Sequence, residues 1–405
     1  MENLYELTAV LKPKERLWSY SYTQMAVMFC SEISYRRAAD AMNACLHRGF
    51  GKEIKLRTLA DFMETYGSKI SGHVKGMAGE ILKENWFDAE TLTPLDDAAI
   101  PENVLKPGER ISGADDAEHL QKVRAVVEEI NSQRECDAQI KRQELVDAVE
   151  PSASKCCYIS IDDIGVKQQK NTRKDGGTKD GHYVENTVIH VQADGKAYFL
   201  TAVSMREAFA ILLAFLLNNN LMDKRKLVFL ADGAKNILSY IEACFPFCEH
   251  TVILDWYHLK KKCKELISSS IKGNKDEKKM IIQTLLRMLW VGNVDESIAF
   301  LKGLSSQFIK STKWFDELTS YLDRKKPQIA CYALRKSLGL RNSSNRVEKA
   351  NDMLVAQRQK HNGMSWSRDG SGALAAINMV ILNNEADRWL YKNTISFAFP
   401  KDKTA

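Results

Sequence analysis

The stretch from residue 156 to 258 constrains this chain more than any other, because strand-like and helix-like patterns alternate there in a fixed order. "CYISID" (157–162) has period 2, and "NTVIHVQ" (186–192) and "KAYFLTAV" (196–203) are also rich in strand formers. The Asp-Gly pair joining the last two predicts a tight hairpin turn. "SMREAFAILLAFLLNN" (204–219) predicts a helix, with Ser204 and Glu207 at capping-box spacing. "KLVFLAD" (226–232) then predicts a strand, "AKNILSYIEACF" a helix, and "HTVILDWYH" (250–258) another strand. The order is β-β-β-α-β-α-β, an α/β arrangement, and two of its strands end in acids, Asp162 and Asp232. Such an acid has two readings. It is a helix N-cap, or it is a carboxylate held on a rigid element for chemistry.

The flanking regions differ in character. "SYRRAADAMNACLHRG" (34–49) and "KLRTLADFMETYGSKI" (55–70) carry apolar residues at helical spacing, with Thr58 as an N-cap and Gly67 as a stop. Two short helices bearing Arg36, Arg37 and Arg57 suit either a helix-turn-helix on DNA or a plain helical hairpin with a basic surface. Prolines bracket a charged segment from Asp115 to Glu150, read as an exposed helix or a mobile connector. Helical patterns fill 258–340. The expected division is 1–95 helical and DNA-binding, 96–153 connector, 154–258 first part of the core, 259–340 all-helical insertion, 341–395 last part of the core, and 396–405 tail. The net charge of +6 fits a polyanionic partner without requiring one. The opening residues carry no secretory signal, and the longest apolar run is half a membrane span. Nine cysteines then read as reduced thiols of a cytoplasmic protein; Cys244, Cys248 and Cys263 lack paired CxxC spacing and read as buried thiols rather than a zinc site.

The β-β-β-α-β-α-β order is that of the ribonuclease H-like fold, in which the ends of the first and fourth strands lie near each other. Two carboxylates so placed repel unless a cation sits between them, and hard oxygen ligands suit Mg²⁺. The candidate third acid is Glu348 in "LRNSSNRVEKANDMLVAQRQKHNGMSWS" (340–367), whose Val347, Ala350, Leu354 and Val355 form an apolar face. Asn345 to Glu348 also has capping-box spacing, so this acid too has a structural reading.

"DWYHLKKK" after the fifth strand, "SSNRVEKAND" and "RQKHNGMSWS" resemble the DDE transposases of bacterial insertion sequences, most closely the Mutator-like branch with its helical insertion after that strand. The resemblance covers about 156–390 and is specific in the last fifty of those residues. It implies a nucleoid-associated enzyme that cuts at transposon ends and joins them to target DNA. It further implies Asp162, Asp232 and Glu348 as a catalytic, metal-holding triad for two Mg²⁺ ions, with Mn²⁺ as a substitute. Asp163 is the other candidate for the first acid, since strand alternation cannot point both neighbours the same way. Asp255 and His258 match the family's acid-x-x-His signature and are expected beside the ligands, not among them, because neutral imidazole binds Mg²⁺ poorly. Trp256 is a core residue or a platform for an unpaired base.

Phosphate contacts that position a duplex without reading it are expected from Lys167, Lys170, Arg173 and Lys174 after the first acid. Arg346, Lys349, Arg358, Lys360 and His361 would do the same after the third. The implied partners are double-stranded DNA (terminal inverted repeats and target) and further copies of the chain, without a membrane. A nuclease or resolvase that only hydrolyses, and a domesticated DNA-binding protein without catalysis, are the rival readings. No GxGxxG or Walker glycine loop follows any strand, which disfavours a nucleotide-binding enzyme.

Overall fold

The computed structural model describes residues 19–46, 53–111, 117–170, 182–361 and 364–400. It is a mixed α/β structure around one five-stranded sheet of order β3-β2-β1-β4-β5. Strand β1 (Cys156–Lys167) pairs antiparallel with β2 (Tyr183–Ala193), which pairs antiparallel with β3 (Lys196–Ala202). On its other side β1 pairs parallel with β4 (Lys226–Ala231), and β4 with β5 (His250–Leu254). The β2–β3 turn is the expected Asp-Gly hairpin, with Asp194 at φ 49° and Gly195 at φ 76°.

Three helices open the described chain: α1 (Tyr20–Glu32), α2 (Tyr35–Leu46) and α3 (Leu56–Glu84). Gly67 does not stop α3, and Lys55, not Thr58, caps it. The helix runs 29 residues because its apolar stripe continues through Ile70, Val74, Ala78 and Leu82. A glycine inside a helix costs about 1 kcal/mol against alanine. Here it permits a close crossing, since a Cβ at Gly67 would stand 2.1 Å from the Ala373 carbonyl oxygen. Ala373 belongs to α14 (Arg368–Leu382), which together with α6 (Met205–Asn218) packs on α3. The first three helices therefore share the sheet's own core. Ser204 caps α6 without its side chain, and Glu207 turns away to Lys75 on α3 at 2.9 Å, so the expected capping box is not formed.

In its described residues the connector is folded. Helix α4 (Ala117–Ser132) lays Val123 and Ile130 against Ala333 and Leu334 of α12 (Tyr332–Ser337). The short α5 (Gln143–Asp147) follows, and then Glu150 accepts from Arg335 at 2.6 Å, with both side chains almost wholly buried. Breaking one member of such a pair would strand a buried charge.

After β4 come α7 (Lys235–Cys244), β5, and a run of helices only: α8 (Trp256–Ser270), α9 (Lys275–Trp290), α10 (Val294–Lys302), α11 (Thr312–Lys325) and α12. These pack a second core onto the sheet through Tyr158, Val228, Leu230 and Ile253. The chain returns through α13 (Asn345–Asn351), which continues as a π-helical turn (Asp352–Ala356) before one closing α turn (Gln357–Gln359). It ends with α14 and α15 (Ala386–Lys392). No helix among the described residues is long and apolar enough to cross a membrane.

Candidate active site

Strand alternation decides where the acids point. Cys157, Ile159 and Ile161 belong to the core beneath the N-terminal helices, whereas Cys156 and Tyr158 meet the insertion. Asp162 has the parity of Tyr158, and its Oδ2 accepts from Asn351 Nδ2 of α13 at 2.7 Å. Asp163 has the other parity and accepts from Thr187 Oγ1 at 2.7 Å and Asn236 Nδ2 at 3.1 Å. Burial, and then the Asp232 carboxylate, push the Asp162 carboxyl up to about 6. Burial also raises Asp163, against the hydrogen bonds from Thr187 and Asn236.

Asp232 lies one residue beyond β4, half-buried, and accepts from the Ala234 N–H at 2.8 Å. The N-cap of α7 is Ala234 itself, so Asp232 closes a local turn and does not cap the helix. Gly233, at φ +90°, carries the chain round this corner. Its carbonyl accepts from Lys325 Nζ of α11 at 2.8 Å, which sets a cation within electrostatic reach of Asp232. Burial lowers the Lys325 pKa, and Asp232 opposes that shift.

Asp255 fastens the site together. It is 1% exposed, caps α8, and accepts from the His258 N–H at 3.0 Å. Its Oδ2 accepts from the Ser344 N–H at 2.6 Å and from Ser344 Oγ at 3.1 Å, so the tip of β5 is tied to the residue that opens α13. Burial would raise this carboxyl, but the hydrogen bonds from His258 and Ser344 prevail and hold it below its usual value. His258 Nδ1 stands 3.2 Å from Asp255 Oδ1, and its Nε2 is 3.9 Å from Glu348 Oε1. The bond to Asp255 raises the imidazole pKa against burial, with further support from Asp232 and Glu348. Glu348 forms no capping bond at the start of α13. Its side chain is 43% exposed and turns toward His258.

Asp162, Asp232, His258 and Glu348 thus fall within electrostatic reach of one another in sequence along this end of the sheet. Among the described residues, no three His, Cys, Asp or Glu side chains stand close enough to hold a metal ion as they are. Asp162, Asp232 and Glu348 offer carboxylate oxygens, a donor type that hard divalent cations accept, and the Asp232 carboxylate adds to burial in raising the proton affinity of Asp162. The three cysteines are buried thiols as expected, with Cys244 and Cys248 in one core and Cys263 in the other.

Of the basic residues, Arg36, Arg37, Arg57, Lys167, Lys170, Arg346, Lys349, Lys360 and His361 are exposed. His361 Nε2 is 3.3 Å from Asp352, and Arg57 stands 3.8 Å from Asp61. Arg173 and Lys174 lie outside the described residues. Arg358 is a correction. It is 1% exposed, donates from Nε to the Cys30 carbonyl at 2.8 Å, and lies between the rings of Tyr35 and Trp366, 5.0 and 5.2 Å away. A guanidinium sealed there cannot touch phosphate. Trp256 is half-buried, 4.8 Å from the Trp290 ring and 5.0 Å from Tyr332. Asn351 shares the face of α13 one turn after Glu348, a spacing that marks it in the sequence. Lys325 sits in a helix with no motif, 92 residues from the carbonyl it binds, and nothing in the sequence marks it.

No family model matches this chain, and no curated protein or solved structure matches it either.

Proposed function

We propose that the chain is a DNA transposase on a ribonuclease H-like core, with Asp162, Asp232 and Glu348 as its catalytic acids. One observation carries the reading. Asp162 and Asp232 act on each other, His258 is within reach of Asp162, Asp232 and Glu348, and Asp255 bonds the tip of β5 to the opening of the Glu348 helix. The strand order and the all-helical segment after β5 support it. So does the π-helical turn in the helix after Glu348, since such turns gather at functional sites.

Asp162, Asp232 and Glu348 would hold two Mg²⁺ ions, or Mn²⁺ in their place. When bound, these supply charge neutralisation and activation of the attacking oxygen in in-line phosphoryl transfer. The chain's own groups do the rest. Asp255 keeps the Nδ1 proton on His258 and directs Nε2 toward Glu348, fixing an orientation rather than moving a proton to DNA. Lys325 adds positive charge beside Asp232. Lys167, Lys170, Arg346, Lys349 and Lys360 are exposed and supply phosphate contacts for duplex ends and target, the active form being a homo-oligomer on DNA.

The test compares Glu348→Gln with Glu317→Gln, an acid of α11 with the same exposure (43% and 42%) that pairs with Arg324. Mg²⁺- and Mn²⁺-dependent cutting and joining are followed on labelled duplexes built from the DNA flanking the coding region. Loss of both steps in Glu348→Gln alone, with unchanged melting, is the expected result. Equal activity in the two variants removes Glu348 from the site. Cutting without joining by the parent protein replaces the transposase with a hydrolytic nuclease.

A further inference from the structure

The face of the insertion that begins beside Asp255 is not flat. A groove of about 1010 Å³ runs between α8 and α9. One wall follows α8 at four-residue spacing, from Trp256 through Lys260 and Lys264 to Ser268. The other follows α9, with Lys275, Lys278 and Lys279 at one end and Trp290 at the other. Arg134, from the turn after α4, and Arg287 close it; Arg287 also meets Glu135 at 2.8 Å. Among the described residues, no acid lines the groove. Its floor is apolar: Leu286 and Ile282 follow one another along α9 away from the Trp256–Trp290 contact, and Met280, 62% exposed, stands at its edge.

These features belong together for a physical reason. A helical face meant only for solvent alternates charges of both signs and keeps its large apolar groups covered. Here lysines border half-buried indole and aliphatic surface, with Met280 exposed. A duplex presents phosphates outward and hides its base faces, so it would satisfy the lysines and leave the floor wet. A single strand offers both parts at once: a phosphate backbone for the cationic rims and unstacked bases for the aromatic floor. From Trp256 to Ser268 the groove is about 18 Å long, which takes about five nucleotides at a 3.4 Å rise per strand.

We infer that the groove between α8 and α9 binds a single strand of DNA, led away from the acids along the insertion. The inference rests on the DNA-processing reading above and adds a strand-specific track to it. Trp256 then sits at the mouth of the track, packed on Trp290 and Tyr332. The π-stacked pair formed by Trp290 and Tyr332, 5.8 Å apart, stiffens that end.

The test uses the full chain in EDTA, so that no strand is cut. A fluorescein-labelled twelve-nucleotide single strand of mixed sequence is titrated by anisotropy at several salt concentrations, beside a duplex of the same length and a single-stranded RNA. The variant is Lys264→Ala with Lys279→Ala, both exposed on the rims and outside the acid cluster. Single-strand affinity should fall at least tenfold. The slope of log affinity against log salt should flatten by about 1.4, because each phosphate neutralised on a single strand contributes about 0.7. Duplex affinity should stay within twofold, and tryptophan fluorescence should quench with the DNA single strand in the parent. Unchanged single-strand affinity and slope in the double variant overturn the inference. An equal loss for duplex overturns its strand specificity, and tighter binding of RNA reassigns the groove to RNA. If the groove variant behaves as the parent while the parent still cuts and joins duplex ends, only the groove assignment fails. If the parent binds no DNA of any kind, the transposase reading fails with it.

Discussion

The two faces of the sheet are built from similar materials and behave differently. Beneath α3, α6 and α14 the packing is mainly apolar, its buried polar groups (Asn186, Ser371 and Gln359) bond one another, and Gly67 lets two backbones touch. Beneath the insertion the packing is as dry, yet its margin holds Asp162, Asp255 and His258, with Lys325 reaching across to Gly233. One face is a clamp; the other is a clamp with a candidate site at its edge. The difference teaches that placing an acid on this sheet is a matter of parity. Asp162 and Asp163 are adjacent and almost equally buried, and a single step along β1 sends them to opposite sides.

The comparison breaks first at Gly67. Gly67→Val would drive a Cβ into the Ala373 backbone, where neither helix can yield by turning a side chain. A loss of about 3 kcal/mol or more in urea unfolding is expected. A loss below about 1 kcal/mol would show that α3 and α14 slide apart freely and that this face is no clamp.

Asp255→Asn sharpens the other side. The amide keeps one acceptor oxygen but loses the charge that holds His258 and doubles the bond to Ser344. Stability should fall by about 1–3 kcal/mol, as when a buried hydrogen-bonding group loses its match. On the proposed function, DNA cleavage should fall further than that loss explains while duplex binding stays unchanged. Proportional loss of binding and cleavage would reduce Asp255 to a helix cap.

His190 provides a pH test. It lies on β2 opposite Ser160, 2% exposed, with the Phe199 ring beside it at 5.3 Å and the guanidinium groups of Arg341 and Arg346 facing it. Burial, and then these two arginines, lower it from 6.5 to about 4. The unfolded chain therefore takes up a proton between pH 6.5 and 4 that the folded chain refuses. The stabilising contribution is complete above pH 6.5 and is lost as pH falls to about 4, by up to about 3 kcal/mol. Urea midpoints measured across that window should fall more steeply toward low pH in the parent than in His190→Leu, where the other shifted groups, Asp162 among them, still titrate. The smallest effect is expected at Glu207→Ala. Its partly exposed pair with Lys75 stands where a capping box was expected, and its removal should cost less than about 0.5 kcal/mol.

Much of this was legible in the chain before folding. The strand and helix order from Cys156 to Leu254, the Asp-Gly turn and the buried thiols follow from period, turn chemistry and composition, all local properties. Asp232 and Asp255 stand just past the ends of β4 and β5 as their patterns predict, and Glu348 stands in the first turn of its helix; Asp162, expected to end its strand, lies in the middle of β1 opposite Val188, because the strand runs on to Lys167 beside β2. Other features needed partners hundreds of residues away. Arg358 looks like a phosphate contact beside Lys360 and His361, and only the fold brings Cys30, Tyr35 and Trp366 around it. Gly67 looks like a helix stop until Ala373 arrives, and the charged connector looks mobile until Glu150 finds Arg335. Pattern along a chain fixes which face of an element is apolar. What presses on that face, and which charge is buried with which, depends on contacts between distant segments that the pattern does not encode.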